Sequence, residues 1–293
     1  MLEQQLVNAL TLGCVYALFA LGFTLVFGVL GVINLSHGAV FMVGAYAALQ
    51  TITRLHLPIW GATAAAIVAS GSVGLIVDVL VLKPLRRRGS PHLIPMIATI
   101  GVAIALNSTS QGVFGPENLR FPYGTIPEAA VEIAGLYVTV LDLAIIFTSF
   151  ALMVALKAAI GSTRLGRALR AIAESPKAAR LLGINVEMLF HLTAFVAAAL
   201  GGVAGMMIGL YSNAVFPLMG QPMLLKGVAV VILGGMGDIR GAMLGGLFLG
   251  FAEVLSVAYI GSTMRDAVAF GLLFLILLVR PQGLFGTVVE RKA

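Results

Sequence analysis

The chain has 293 residues, of which 60% are hydrophobic and only 10% charged, with a formal net charge of +6. Soluble domains carry about a quarter charged residues, so this chain has too few polar groups to cover a water-facing surface, and a bilayer is the solvent it fits. The basic residues sit in short gaps between apolar tracts, which excludes a nucleic-acid-binding domain and matches the positive-inside pattern of membrane proteins.

The opening MLEQQLVNAL has no Lys or Arg before the apolar run and no small-residue cleavage site after it, so it reads as a retained first span. No Asp, Glu, Lys or Arg occurs from residue 4 to residue 53. A crossing takes about 20 apolar residues, so this tract holds two spans if it turns in the middle. The turn is expected at NLSHG, with the first helix ending near Val32 and Asn34 or Ser36 capping the second. Cys14 is the lone cysteine, which excludes an intrachain disulfide.

Further spans are predicted over residues 58–82, 93–114, 136–157 and 188–211. A short apolar piece, 224–233, leads into GGMGDIRGAMLGG, and the last two spans cover 242–260 and 267–279. The predicted fold class is therefore all-α: a polytopic membrane bundle of eight or nine segments, some short or broken, forming one domain over residues 1–293. Small residues at four-residue spacing supply helix-packing ridges. They are Ala62, Ala66, Ser70 and Gly74; Gly201, Gly205 and Gly209; Gly241 and Gly245; and Gly246 and Gly250.

Charge orients the bundle. KPLRRRGSPH carries Lys83, Arg86, Arg87 and Arg88 with no acid, and residues 157–187 carry six basic side chains against two acidic ones. The gap 115–135 has Arg120 against Glu117, Glu128 and Glu132. The positive-inside rule puts the first two gaps and the ERKA tail in the cytoplasm and the third outside, so the N-terminus is expected outside.

The most informative polar stretch is residues 161–187. Leu165, Ala168, Leu169 and Ile172 recur at helical spacing, with Arg164, Arg167 and Arg170 between them. After Glu174, Ser175 and Pro176 form a cap followed by a first-turn proline, and Gly183 ends a second helix of about two turns. A basic amphipathic loop can simply lie on anionic headgroups. The sharp stop and restart favour a docking surface over that.

Within this loop, AIAESPKAARLLGIN resembles the cytoplasmic coupling loop of ABC importer permeases. GVINLSHGAVFMVGAY is similar to the N-terminal signature of the branched-chain amino acid (Liv-type, H subunit) permeases. GGMGDIRGAMLGG and RPQGLFG are similar to the C-terminal half of that family. The resemblance implies a pore of two permeases in a bacterial or archaeal cytoplasmic membrane. Two cytoplasmic ATPases would bind ATP and Mg, and an extracytoplasmic binding protein would deliver the solute. It places Glu174, Ser175, Pro176, Ala178, Ala179, Leu182 and Gly183 in the ATPase groove. Related permeases move urea or sugars, so the resemblance does not select the solute.

The chain has no G-x-x-x-x-G-K-[ST], so it lacks a P-loop of its own, and no cofactor is expected on it. His37, His56, His92 and His191 share no metal-ligand spacing, and no Ser-His-acid order suggests hydrolysis. Broken helices near the membrane midplane often present backbone polarity to a solute. Two breaks are expected to border the path: Asn34, Ser36, His37 and Gly38 in one half, Gly235 and Gly237 in the other. The bland alternative is a pair of cytoplasmic turns. Ionisable groups within spans are usually paired or pore-facing. Asp78 is expected to meet Lys83 or a nearby arginine, and Asp142 to snorkel. Glu253 is expected either to face the pore or to pair with Lys226 or Arg265. The rival functions are a stand-alone ion-coupled transporter using Glu253 or Asp142 as its proton site, and a non-transporting scaffold.

Overall fold

A computed structural model describes residues 2–91, 93–125, 130–133, 136–280 and 282–285 of the chain. His92, Glu128, Pro281, Gly286 and the tail at 290–293 lie outside the described residues, and of Glu132 only the backbone is described. The elements are α1 (Leu2–Leu30), α2 (His37–Leu55), α3 (Ile59–Val77), a π-helical segment (Asp78–Leu82), α4 (Lys83–Arg87) and α5 (Leu93–Phe114). A hairpin of β1 (Ala130–Ile133) and β2 (Leu136–Thr139) follows. Then come α6 (Val140–Ser162), α7 (Arg164–Glu174), α8 (Pro176–Leu181), α9 (Val186–Ser212), α10 (Gly220–Gly234), α11 (Ile239–Tyr259), a 3-10 turn (Ser262–Met264) and α12 (Arg265–Val279).

Seven described helices are long and apolar enough to cross a membrane: α1, the continuous Ile59–Arg87 run, α5, α6, α9, α11 and Ser262–Val279. At 19 residues, α2 measures about 28 Å but begins inside the bundle, after the non-helical residues 31–34. The 15-residue α10 is shorter than a full crossing and begins inside the bundle. Among the described residues the chain is thus a polytopic helical bundle of seven spans plus two interrupted helices, α2 and α10.

Several predicted boundaries move for local reasons. Residues 136–139 are a strand, not the start of a span. The helix begins only at Val140, because Thr139 and Asp142 form a reciprocal capping box. Asp142 therefore caps α6 and does not snorkel. Asp238 caps α11 by accepting the Gly241 N–H at 2.9 Å, so that helix starts before residue 242. Ser36 is the residue before α2, but its side chain does not cap it. Its hydroxyl and its N–H both donate to Asn34 Oδ1, at 2.6 and 3.1 Å.

The two ends of the bundle differ in charge. One end gathers the close of α1, the basic α4, the close of α6 and α7–α8. The other holds the hairpin, where Gln4 exchanges two hydrogen bonds with the Tyr137 backbone. There too, Leu119 and Val215 bridge the loops after α5 and α9.

The core is α1, enclosed by α9, α11, α6 and α10. Contact at small residues sets the spacing, since burial against lipid-like neighbours gives no driving force. A Cβ on Gly250 would lie 2.4 Å from Gly13 Cα, and one on Gly246 would lie 2.3 Å from the Ala17 nitrogen. The third-span ridge meets α9: Gly74 abuts Ala194 and Ala198, and Gly202 abuts Ser70. By contrast, α5, α6 and α12 present mostly bare apolar faces.

Candidate translocation site and coupling helix

After α1 ends, Gly31 turns the chain with φ +69 and residues 32–35 run back into the bundle without helical structure. Interrupted backbone at membrane depth must find partners. Leu35 N–H donates to Thr99 Oγ1 of α5 at 3.1 Å, and His37 N–H donates to the Asn34 carbonyl at 3.2 Å. The His37 ring sits 4.7 Å from Phe19 and 5.8 Å from Phe23, centroid to centroid. It fits because Gly22 and Gly201 flank it: a Cβ on either would lie within 3.0 Å of ring atoms. Gly22 precedes Leu30 by eight residues, so the imidazole lies about 12 Å inside the end of α1. Ser36 and His37 are fully buried, and His37 Nε2 has no hydrogen-bond partner among the described residues.

The break that meets this one is not at Gly235 and Gly237. It lies at the start of α10, in NAVFPLMGQP. Asn213, at φ +46, accepts the Phe121 N–H on its Oδ1 at 3.0 Å, and residues 214–219 then descend to Gly220. Gly38 and Gly220 touch backbone to backbone: a Cβ on Gly220 would lie 1.9 Å from the Gly38 carbonyl oxygen. Neither α2 nor α10 has a side-chain cap. Their orphan N–H groups and positive dipole ends therefore converge inside the bundle. The signal was present in the glycine and proline of MGQP, which falls between the predicted span 188–211 and the apolar piece 224–233.

Gly235 and Gly237, at φ +101 and +90, form the tight turn between α10 and α11 at the basic end. The Leu284 and Phe285 N–H groups donate to the carbonyls of Leu233 and Gly234 at 2.8 and 3.1 Å, packing the C-terminal segment onto that turn.

Glu253 is fully buried and paired. Tyr16 Oη donates to its Oε2 at 2.8 Å, Lys226 Nζ to its Oε1 at 2.8 Å, and Arg265 also donates to Oε1. The cluster ties together α1, α10, α11 and α12. Asp78, also fully buried, accepts from Arg86 Nη1 at 2.6 Å and lies 2.6 Å from His191 Nδ1. Of the two expected partners of Asp78, the arginine of the basic gap is the one it meets, and Lys83 pairs with Glu187, at 2.7 Å.

At the basic end, Thr163 caps α7 by accepting the Gly166 N–H at 3.0 Å, and Arg170 anchors back to the Ile160 carbonyl. Ser175, in an extended conformation, accepts the Ala178 N–H on its hydroxyl at 3.3 Å, Pro176 takes the first helical position, and Gly183 ends the unit at φ +80. Ala179 is only 1% exposed and joins an apolar cluster with Leu82, Ile172 and Phe190, so it holds α8 to the body. Leu181 and Leu182 are 89% and 78% exposed, an apolar pair left bare by the described residues.

Among the described residues, seven spans, two interrupted helices meeting at their N-termini and a short capped helix at the basic end define a polytopic membrane permease. The chain belongs to the family described as branched-chain amino acid transport system / permease component, whose profile matches residues 5–277. It is 38% identical over 294 residues to the high-affinity branched-chain amino acid transport system permease protein BraD of Pseudomonas aeruginosa, covering 97% of this chain and 95% of that one. It is 37% identical to the LivH permease of Escherichia coli K12, with the same coverage. A probable branched-chain amino acid transport permease LivH of Methanocaldococcus jannaschii is 30% identical over 92% of this chain and 88% of that one.

Proposed function

We propose that this chain is the membrane permease of an ATP-driven importer for branched-chain or other small amino acids. It works by alternating access beside a second, homologous permease. Two ATPases carrying ATP and Mg dock at its basic end, which the positive-inside rule makes cytoplasmic. A binding protein delivers solute at the hairpin end, where the N-terminus lies. One observation carries the coupling role: α8, capped by Ser175 and pinned through Ala179, exposes Leu181 and Leu182 with none of the described residues covering them. Glu174 through Gly183 form the unit that an ATPase groove receives.

The ion-coupled alternative loses support at its proton sites, because Glu253 is ion-paired and Asp142 is committed to a cap. Leu182→Glu in the complete importer tests the coupling role. Uptake into proteoliposomes should fall about a hundredfold, the loss typical of one well-packed interface anchor, while the permease itself keeps its elution profile. Undiminished ATP-driven uptake would sink the assignment of α8.

A further inference from the structure

A cavity of about 340 Å³ lies at the basic end, between α4, α8 and the first turn of α9. Its wall is charged. Lys83, Arg86 and Arg87 come from α4, Arg180 from α8, and Glu187 and Phe190 from α9.

The charges there do not balance. Four cations face two acids, Glu187 in the wall and Asp78 behind Arg86, which leaves an excess of two positive charges. His191, also on Asp78, can only add to that excess. Two of the pairs are close: Lys83 holds Glu187 at 2.7 Å, and Arg86 holds Asp78 at 2.6 Å while lying 4.5 Å above the Phe190 ring. The other two cations are not so engaged. Arg87 reaches the same Glu187 only at 3.4 Å with its side chain 67% exposed, and the Arg180 guanidinium has no partner among the described residues.

The position of the cavity along the membrane narrows the choice of anion. Helix α4 is the last turn of the continuous Ile59–Arg87 run, and Ile76, Val79 and Leu80, shortly before it, are exposed apolar side chains. A molecule seated here has cations around its head and a bare hydrocarbon wall beneath. Basic pockets at that height suit anionic lipid headgroups, and a guanidinium fork matches two phosphate oxygens at once. The π-helical turn Asp78–Leu82 separates the apolar wall from the cations, and such bulges occur frequently at functional sites.

We infer that this cavity binds a phosphate oxyanion and that an anionic lipid of the leaflet at the basic end supplies it. Arg87 and Arg180 donate to the phosphate oxygens, Glu187 stays with Lys83, and the acyl chains run along Ile76, Val79 and Leu80. The bound phosphate ties α8 to α4. Under the proposed function α8 is the docking unit, so the lipid sets how firmly that unit is held; this consequence alone rests on the importer reading.

In the test, the full chain in detergent is titrated with dioctanoyl phosphatidylglycerol, and bound lipid is counted by native mass spectrometry. One phosphatidylglycerol should bind about tenfold more tightly than dioctanoyl phosphatidylcholine, the order that two basic contacts supply. Arg87→Gln combined with Arg180→Gln should erase that preference. Both side chains are exposed, so the fold should survive. Arg164→Gln combined with Arg167→Gln removes the same charge from α7, outside the cavity wall, and should change the preference less than about twofold. Equal losses from the two double variants, or no loss from the first, overturn the site. Displacement of the lipid by inorganic phosphate at equal concentration keeps the anion and overturns the lipid as its source. Loss of the lipid when purified ATPases assemble would hand the cavity to an acidic side chain of that partner and overturn it as well. Lipid bound as expected by a chain that recruits no ATPase upholds the site and sinks the importer reading alone.

Discussion

Helices α1 and α5 are both long apolar spans, yet protein encloses one while the other touches its own chain along a narrow strip. Both contain glycine. In α1, Gly13 and Gly22 meet backbone of α11 and α9 at distances that admit no side chain, whereas Gly101 and Gly112 of α5 face open space. Glycine in a membrane helix is therefore a permission for close packing, and the neighbour decides whether it is used. The difference is one of enclosure: α1 is a central post walled in by protein, and α5 is a peripheral helix with most of its apolar face bare.

The largest expected effect comes from the close-packed side. A Cβ on Gly205 would lie 1.9 Å from the Phe41 carbonyl oxygen, and Phe41 belongs to the enclosed helix α2. Overpacking costs about 1–3 kcal/mol where side chains can yield, but here the obstacle is backbone. Gly205→Leu should therefore abolish recovery of monodisperse protein in size-exclusion chromatography. A well-folded variant would show that α2 and α9 are not locked together.

Next comes the ionic clamp that fastens the post. Glu253 reaches Tyr16 of α1 and Lys226 of α10, residues far apart in sequence. Glu253→Ala leaves Lys226 buried against Arg265 with no carboxylate between them. Breaking such a pair costs about 3–5 kcal/mol, so thermal unfolding in detergent should shift strongly downward. Asp266, 3.6 Å from Lys226, is too distant and too exposed to substitute. A stable variant with slowed uptake would make Glu253 a pore residue after all.

These contrasts show what a sequence can and cannot disclose. The spans were legible because hydrocarbon imposes a length and a composition on any crossing helix. The NLSHG break was legible because polar residues interrupt an uncharged tract. Its partner at Gly220 was not, because a helix that starts inside a bundle needs no polar flank: the opposing backbone supplies its surroundings. Residues 136–139 were misread because Leu, Tyr, Val and Thr suit a strand as well as a span, and only the Thr139–Asp142 box separates the two. The short helix α8 was visible from Ser175, Pro176 and Gly183. Which face it turns outward depends on where Ala179 meets Ile172 and Phe190, a tertiary fact.

The smallest effect belongs to α5 and sharpens the contrast most cheaply. Gly101→Ala adds a methyl group where no atom lies within 4 Å, so no clash arises. Alanine is favoured over glycine in helix interiors by about 0.8–1.0 kcal/mol in aqueous hosts. A helix already held in bilayer or micelle gains less, since its backbone is internally bonded with or without the methyl group. The thermal midpoint of the purified chain should stay level or rise slightly, within the range of about ±0.5 kcal/mol usual for exposed positions. A clear loss of stability would mean that another part of the protein rests on Gly101, and that α5 is not the free helix its contacts describe. Set beside Gly205→Leu on α9, the result shows how far the same residue type differs between a helix packed backbone to backbone and one with a bare face.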